Sequence, residues 1–399
     1  MDVPTNLNKI ALIVYGRFPT ERAYGAHVFE VAKSFSDLKL ETSILYSKTE
    51  NKLTIDQDPQ AFYGIDSNIQ FKQLENIDLT KYKIYEILPS FIQKIIWSIS
   101  AYIWAKRNIK YFQYYDVLWS TNPNILVPLK KINKVLIFEK HGAAKYLQRI
   151  SIKILSKYSK INFIATSKKS FEELFKLNKE KTLYLPNAVD ISRYKNSSKS
   201  VNETINIGYV GMLETYGVKK GVYEAFKELL KLSKNYKISL TLIGDPSDER
   251  ERIENIFKSY NVTLISKPRL PLFEVAEEIK KLDIGIIPYP DEKHMNLYAS
   301  PMKFFEFAAS GVAIVASDIK SHKDLKQLNL GVQYFEKNNF SDFRHKIEDL
   351  LKNRDQITYL SNLSERNIKN FSWEKRSKTI LKFASVAQLD RASDFGSEG

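Results

Sequence analysis

YASPMKFFEFAASGVAIVASD, residues 298–318, decides how this chain folds. Ser300 is a good N-cap residue and Pro301 suits the first helical position, so a helix is expected to start here and to stop near Gly311. VAIVASD (312–318) then has the length and β-branched content of a buried strand. A helix running straight into such a strand is the repeating unit of a parallel α/β sheet.

The same alternation extends outward in both directions. INIGYVG (205–211), ISLTLIG (238–244), VTLIS (262–266), DIGIIPY (283–289) and GVQYF (331–335) read as strands. Between them lie helical stripes, one of Val222, Ala225, Phe226, Leu229 and Leu230, another of Phe273, Val275, Ala276 and Ile279. An earlier series comprises KIALIVYG (9–16), ETSILYS (41–47), DVLWST (116–121), KVLIFEKHG (134–142), INFIATS (161–167) and TLYLPN (182–187). ISRYKNSSKSVNET (191–204) is the longest polar, core-free stretch between the two series and reads as a linker. The expectation is an α/β protein of two Rossmann-like, doubly wound parallel-sheet domains, 1–190 and 205–370, followed by a C-terminal helix over 371–384. Ligands are expected between the carboxyl ends of the two sheets. SVAQLDRASDFGSEG (385–399) shows no periodicity and is expected to be a disordered tail.

Composition narrows the function. The 399 residues include 61 Lys+Arg and 46 Asp+Glu, a net charge of +15, and no cysteine. Disulfide scaffolds, cysteine nucleophiles and thiolate metal sites are therefore excluded. No apolar run approaches the about 18–20 residues of a spanning helix, and MDVPTNLNK has no signal-peptide core, so a cytoplasmic chain is expected. Positive charge draws nucleotides, nucleic acids or an anionic membrane surface, without choosing among them. No helix-turn-helix, RRM or zinc-finger pattern appears, and nucleic acid is not an expected partner.

Two segments read as anion sites. The first turn of the 298–318 helix offers unpaired N–H groups and partial positive charge, to which Lys303 adds a full charge. A phosphate held there leaves a ribose diol within reach of Glu306, three residues on; the plain alternative is a capped surface helix with an i,i+3 ion pair. In IGYVGMLETYGVKKGVYEAF (207–226), Gly211 ends a strand, and Lys220-Gly221 heads a helix and can present a point charge to a second phosphate. The spacing is not that of a Walker loop.

In the first half, Gly25 turns the chain closely into a helix expected to begin near His27. His141 and Gly142 follow a strand directly, at the sheet edge where α/β ligands bind, with Glu139 as an orienting neighbour or an exposed carboxylate. Asp56 and Asp58 form an Asp-x-Asp pair in a polar stretch that no buried strand precedes, which reads as a surface loop. No other cluster has metal-ligand spacing, so no metal cofactor is expected. Within 87–115, Ile92, Ile95, Ile96, Ile99, Tyr102 and Ile103 share one helical face, with Trp97 and Trp104 on another. Lys94, Lys106, Arg107 and Lys110 flank them, a composition suited either to a core helix or to an interfacial helix on an anionic membrane.

Gly25, the His141-Gly142 pair, LPNAVD (185–190), GYVG…KKG and SPMKFFEFAASG, in this order, resemble the retaining glycosyltransferases of the GT-B fold, family 4 (glycosyl transferases group 1), over residues 8–384. The resemblance implies two Rossmann-like domains flanking an interdomain cleft. It implies a nucleoside-diphosphate-sugar donor on the C-terminal domain and a glycan or lipid-linked acceptor on the N-terminal one. Cell-surface polysaccharide or glycolipid assembly at the cytoplasmic face of a membrane, without metal, follows as the expected setting. By position, Glu306 is implied on the nucleotide ribose, Lys220 on the diphosphate, Ser300 and the following amides on the phosphate, His141 beside the donor sugar and Gly25 near the reacting centre. Tyr298 stands where the family's Glu-x7-Glu pattern has its first glutamate, and Met212 where an arginine commonly accompanies the lysine. A nucleotide-sugar epimerase of the same fold, which needs no acceptor, is the enzyme alternative.

Overall fold

The computed structural model describes residues 7–20, 22–49, 58–63, 67–79, 82–195, 203–215, 217–260 and 262–394, with side chains as far as residue 385. The chain forms two compact units: Met1–Pro186 joined by the segment from Trp373 onward, and Asn187–Ser372.

The first unit is built on a seven-stranded sheet of β1 (Lys9–Val14), β2 (Glu41–Ser47), β3 (Gln70–Leu74), β4 (Val117–Ser120), β5 (Val135–Lys140), β6 (Ile161–Ala165) and β7 (Thr182–Tyr184). Its order is β3-β2-β1-β4-β5-β6-β7, parallel throughout. Chain order reverses at β1, which pairs with both β2 and β4, and that is where open α/β sheets bind ligands. Six of these strands coincide with the expected runs. β3 was not foreseen, because an edge strand of sequence QFKQL, largely solvated, carries no continuous apolar signal.

The second unit holds β8 (Ile205–Val210), a small hairpin of β9 (Glu214–Thr215) and β10 (Val218–Lys219), β11 (Ile238–Ile243), β12 (Leu264–Lys267), β13 (Ile284–Ile287), β14 (Ala313–Ser317) and β15 (Val332–Phe335). The parallel sheet runs β12-β11-β8-β13-β14-β15, reversing at β8. The helix Met302–Ala309 lies on it, with Phe304, Phe305 and Phe307 fully buried. Gly285 of β13 makes that seat possible: a Cβ there would come within 2.6 Å of the Phe307 ring.

Three expectations about domain limits are corrected. The second unit begins at Asn187 rather than after a linker: Val189 bridges Ser372, and Ile191–Tyr194 is a helical turn whose Tyr194 is buried in this unit's core. Of the expected linker, residues 196–202 lie outside the described residues. The C-terminal helix belongs to the first unit; it spans Trp373–Asp394, buries Ile380, Leu381 and Ala384, and joins the helix Ala23–Asp37 through Ser34 and Ser377 at 2.5 Å. The helix therefore continues through the first ten residues of the expected tail, and 395–399 lie outside the described residues.

Candidate functional site

In the second unit the expected donor residues converge at the carboxyl edge of the sheet. Gly211 follows β8, and a Cβ built on it would lie 3.9 Å from Lys303 Cε. Lys303, in the first turn of Met302–Ala309, is paired with Glu306, whose carboxylate is buried. Lys220 precedes Gly221, the left-handed residue (φ 74°) that caps the helix Val222–Leu232. Lys220 is buried, with its ammonium 5.0 Å from the centre of the Tyr289 ring. Burial, reinforced by the nearby positive charge of Lys303, pushes the Lys220 ammonium down to about 8, against a smaller opposing pull from Asp245. Asp245 is itself bound to Arg269, and Glu306 to Lys303. Among the described residues Lys220 has no ion-pair partner of its own. Burial, with Glu306 close by, raises the Tyr289 phenol, so that ring stays neutral.

Ser300 and Pro301 do not act as expected. Pro301, not Ser300, occupies the N-cap position, and no side chain caps this helix. The Ser300 hydroxyl accepts from the Asn187 N–H at 3.3 Å, and its carbonyl accepts from Asn187 Nδ2 at 2.6 Å. Ser300 therefore ties the beginning of the second unit to the helix start; a pairing between residues 113 apart leaves no local signal. Tyr298 is buried at the end of the helix Lys293–Tyr298, whose His294 lies near Lys220 and was not anticipated.

In the first unit His141 leaves β5 beside a fully buried Glu139, which corrects the alternative of an exposed carboxylate. Glu139 Oε1 lies 2.8 Å from His27 Nε2, 2.9 Å from His141 Nε2 and 2.9 Å from Arg376 Nη2. Its Oε2 accepts from Trp119 Nε1 at 3.2 Å and from Arg376 Nη1 at 3.2 Å. His27 Nε2 and His141 Nε2 lie this close to the carboxylate without forming a hydrogen bond to it. Burial alone would raise the Glu139 carboxyl, yet Arg376, His27 and His141 hold it well below the usual range. Burial pushes His27 down to about 4, so it is neutral near pH 7 despite Glu139. His27, Glu139 and His141 have ligand atoms close enough to surround a cation. Glu139 is already spanned by the Arg376 fork, and a second cation would sit against a guanidinium, so the trio reads as a buried charge cluster rather than a metal site.

Gly25 lies within the first turn of Ala23–Asp37, a helix that starts earlier than His27. A side chain on it would collide with the Tyr63 hydroxyl (2.3 Å) and Thr20 Cγ2 (2.5 Å), so packing within this unit calls for a glycine here. Asp58 caps the short helix Pro59–Tyr63 by accepting from Gln60 N at 2.8 Å, while Asp56 lies outside the described residues. Trp97 and Trp104 both turn inward. Trp97 stacks edge-on against Tyr15 at 4.7 Å, and Trp104 is buried against Tyr15 and Phe112.

Residues 204–353 match the family profile described as glycosyl transferases group 1. The chain is similar to a glycosyltransferase from Rickettsia africae, at 14% identity over 96% of this chain and 99% of that one, with a TM-score of 0.71. It is similar to Anabaena HepE in complex with UDP and glucose, at 12% identity over 95% and 99%, with a TM-score of 0.67. The apo lipopolysaccharide outer core galactosyltransferase WaaB aligns at 15% identity over 96% and 99%, with a TM-score of 0.63. No curated protein matches the chain. The fold is GT-B, and the profile match to glycosyl transferases group 1 lies within its second unit.

Lys220 supplies a prediction. Its ammonium titrates lower in the fold, about 8, than in the unfolded chain, near 10.5, so the unfolded state binds the proton more tightly. The cost of its charge is full below pH 8 and disappears as pH rises toward 10.5. Lys220→Met is expected to raise stability at pH 7, an advantage that shrinks by up to about 3 kcal/mol toward pH 10.5. Denaturant melts of both proteins across that range give the difference directly.

Proposed function

We propose that this protein is a retaining glycosyltransferase that moves a hexose-type sugar from a nucleoside diphosphate to a glycan or lipid-linked acceptor in cell-surface polysaccharide or glycolipid assembly. The observation that carries the reading is the cluster of Lys220, Lys303, Glu306 and Gly211 at the reversal point of a group 1 domain. Lys220 is desolvated and unpaired, so a diphosphate gains more from it than from a solvated lysine. An arriving phosphate competes for Lys303, which releases the buried Glu306 carboxylate to accept from the two ribose hydroxyls. The same positive groups stabilise the departing diphosphate as its charge develops, and no metal is required. The attacking hydroxyl approaches on the face the diphosphate leaves, so no protein nucleophile takes part. His141 is assigned to the donor sugar.

Glu306→Ala is expected to weaken donor binding by roughly 10- to 100-fold, the worth of hydrogen bonds to a charged group, with little change in melting temperature. UDP-sugars are the first donors to titrate, since Anabaena HepE was solved with UDP and glucose. Calorimetry beside thermal melts decides it, and unchanged affinity in a folded variant overturns the donor site. Turnover is expected to persist in EDTA; a loss that magnesium or manganese restores overturns the metal-free reading.

A lipid-linked acceptor is favoured by the surface of the helix Ser90–Arg107. With both tryptophans turned inward, its opposite side exposes Phe91, Ile95, Ile99 and Ile103, continued by Ile84 and Ile87 on the preceding helix. Lys94 stands beside this apolar face near Lys145, and Lys106 and Arg107 close its end. No helix among the described residues is long and apolar enough to cross a membrane. Peripheral docking on anionic lipid fits this surface, each basic residue adding about 1 kcal/mol that salt screens. The protein is expected to co-sediment with phosphatidylserine-containing vesicles at low salt, less at high salt, and Phe91→Ser with Ile95→Ser to abolish binding. Indifference to such vesicles at low salt makes a water-soluble acceptor the better reading.

A further inference from the structure

The cluster around Glu139 is more elaborate than burying one carboxylate requires. Arg376 alone would neutralise it, forking onto both oxygens at 2.9 and 3.2 Å. The guanidinium is itself fixed from the far side, its Nε donating to the Pro186 carbonyl at 2.9 Å and Nη2 reaching the Leu185 carbonyl at 3.4 Å. Trp119 on β4 supplies another donor. Two imidazoles nevertheless crowd the oxygen that Arg376 Nη2 already binds, their rings edge-to-face at 4.4 Å. One of them, His27, is sealed between Trp119, Trp373 and His141. The other, His141, keeps 33% of its side chain exposed, while Glu139, His27 and Arg376 have at most 4%. The cluster therefore has one outlet to solvent, and that outlet is a histidine at the end of a strand.

We infer that Glu139 is a positioning residue for His141, keeping the proton on its Nε2 and leaving Nδ1 with its lone pair outward, as acceptor for a hydroxyl of the bound sugar. An anion 2.9 Å from Nε2 favours a proton on that nitrogen by charge attraction, although no hydrogen bond is formed there. Arg376 is the second positioning residue. It sits on the C-terminal helix and holds Glu139 from across the unit, so that helix contributes to the positioning of His141. The charged and titratable groups facing Glu139 are His27 from Ala23–Asp37, His141 from its own strand end and Arg376 from the C-terminal helix. The neighbouring Lys140 points elsewhere, to Ser170 and Glu173.

The inference rests on the assignment of His141 to the donor sugar. Its test combines a nitrogen-15 NMR reading of the histidine tautomers with kinetics of Glu139→Gln, His141→Ala and the double variant. Wild-type His141 is expected as the Nε2–H tautomer, and Glu139→Gln to redistribute that proton. Glu139→Gln should lower kcat on the order of 100-fold, the loss that a misplaced group causes, with KM for the donor changing far less. The double variant should fall no further than His141→Ala, since Glu139 acts through the imidazole. Additive losses, or an unchanged tautomer and kcat in a folded Glu139→Gln, overturn the inference. Should Glu139→Gln fail to fold, Arg376→Lys keeps a cation without the fork and is read the same way. The wild-type spectrum decides in any event, because an Nδ1–H tautomer excludes the arrangement. Full turnover in His141→Ala beside lost donor binding in Glu306→Ala sinks this inference and leaves the donor site standing.

Discussion

Phe307 seated against Gly285 is the contact on which the second unit's site depends. Any side chain on that glycine would meet the ring at 2.6 Å and lift the helix Met302–Ala309 off the sheet. With the helix down, Lys303 and Glu306 stand beside Gly211 at the end of β8, where the strand order reverses. Three buried phenylalanines leave the helix no freedom to roll, so the Glu306 carboxylate is held by packing rather than by polar contacts alone.

The two units bury charge by opposite means. In the second, Lys220 is desolvated over an aromatic ring while the nearby carboxylates are taken by Arg269 and Lys303. Positive charge is left in surplus and at a cost. In the first, a buried carboxylate is hydrogen-bonded by a guanidinium and an indole, with two imidazoles beside it.

The helix Ser90–Arg107 illustrates what periodicity leaves open. A stripe of isoleucines at helical spacing marks an apolar face, but Trp97 and Trp104 form a second one, and either can be the buried side. Tyr15 and Phe112 settle it by offering the tryptophans aromatic partners, which larger rings exploit better than isoleucines do. The isoleucines are then left on the surface, where their cost is repaid only by a partner.

Sequence alone determined the fold class, since twelve short apolar runs announce strands by composition and parallel α/β order follows from their alternation with helices. It also placed Lys220, Lys303 and Glu306, because helix starts, glycines and charges at fixed spacing are local properties. Only the tertiary structure decided that Ser300 grips Asn187 instead of capping its helix, that Gly25 makes room for Thr20 and Tyr63, and that the last helix returns to the first unit. Arg376 meets Glu139 across 237 residues, and His27 meets it from another helix. Such partners are chosen by which elements the packed sheet brings together, and chain spacing holds no record of that choice.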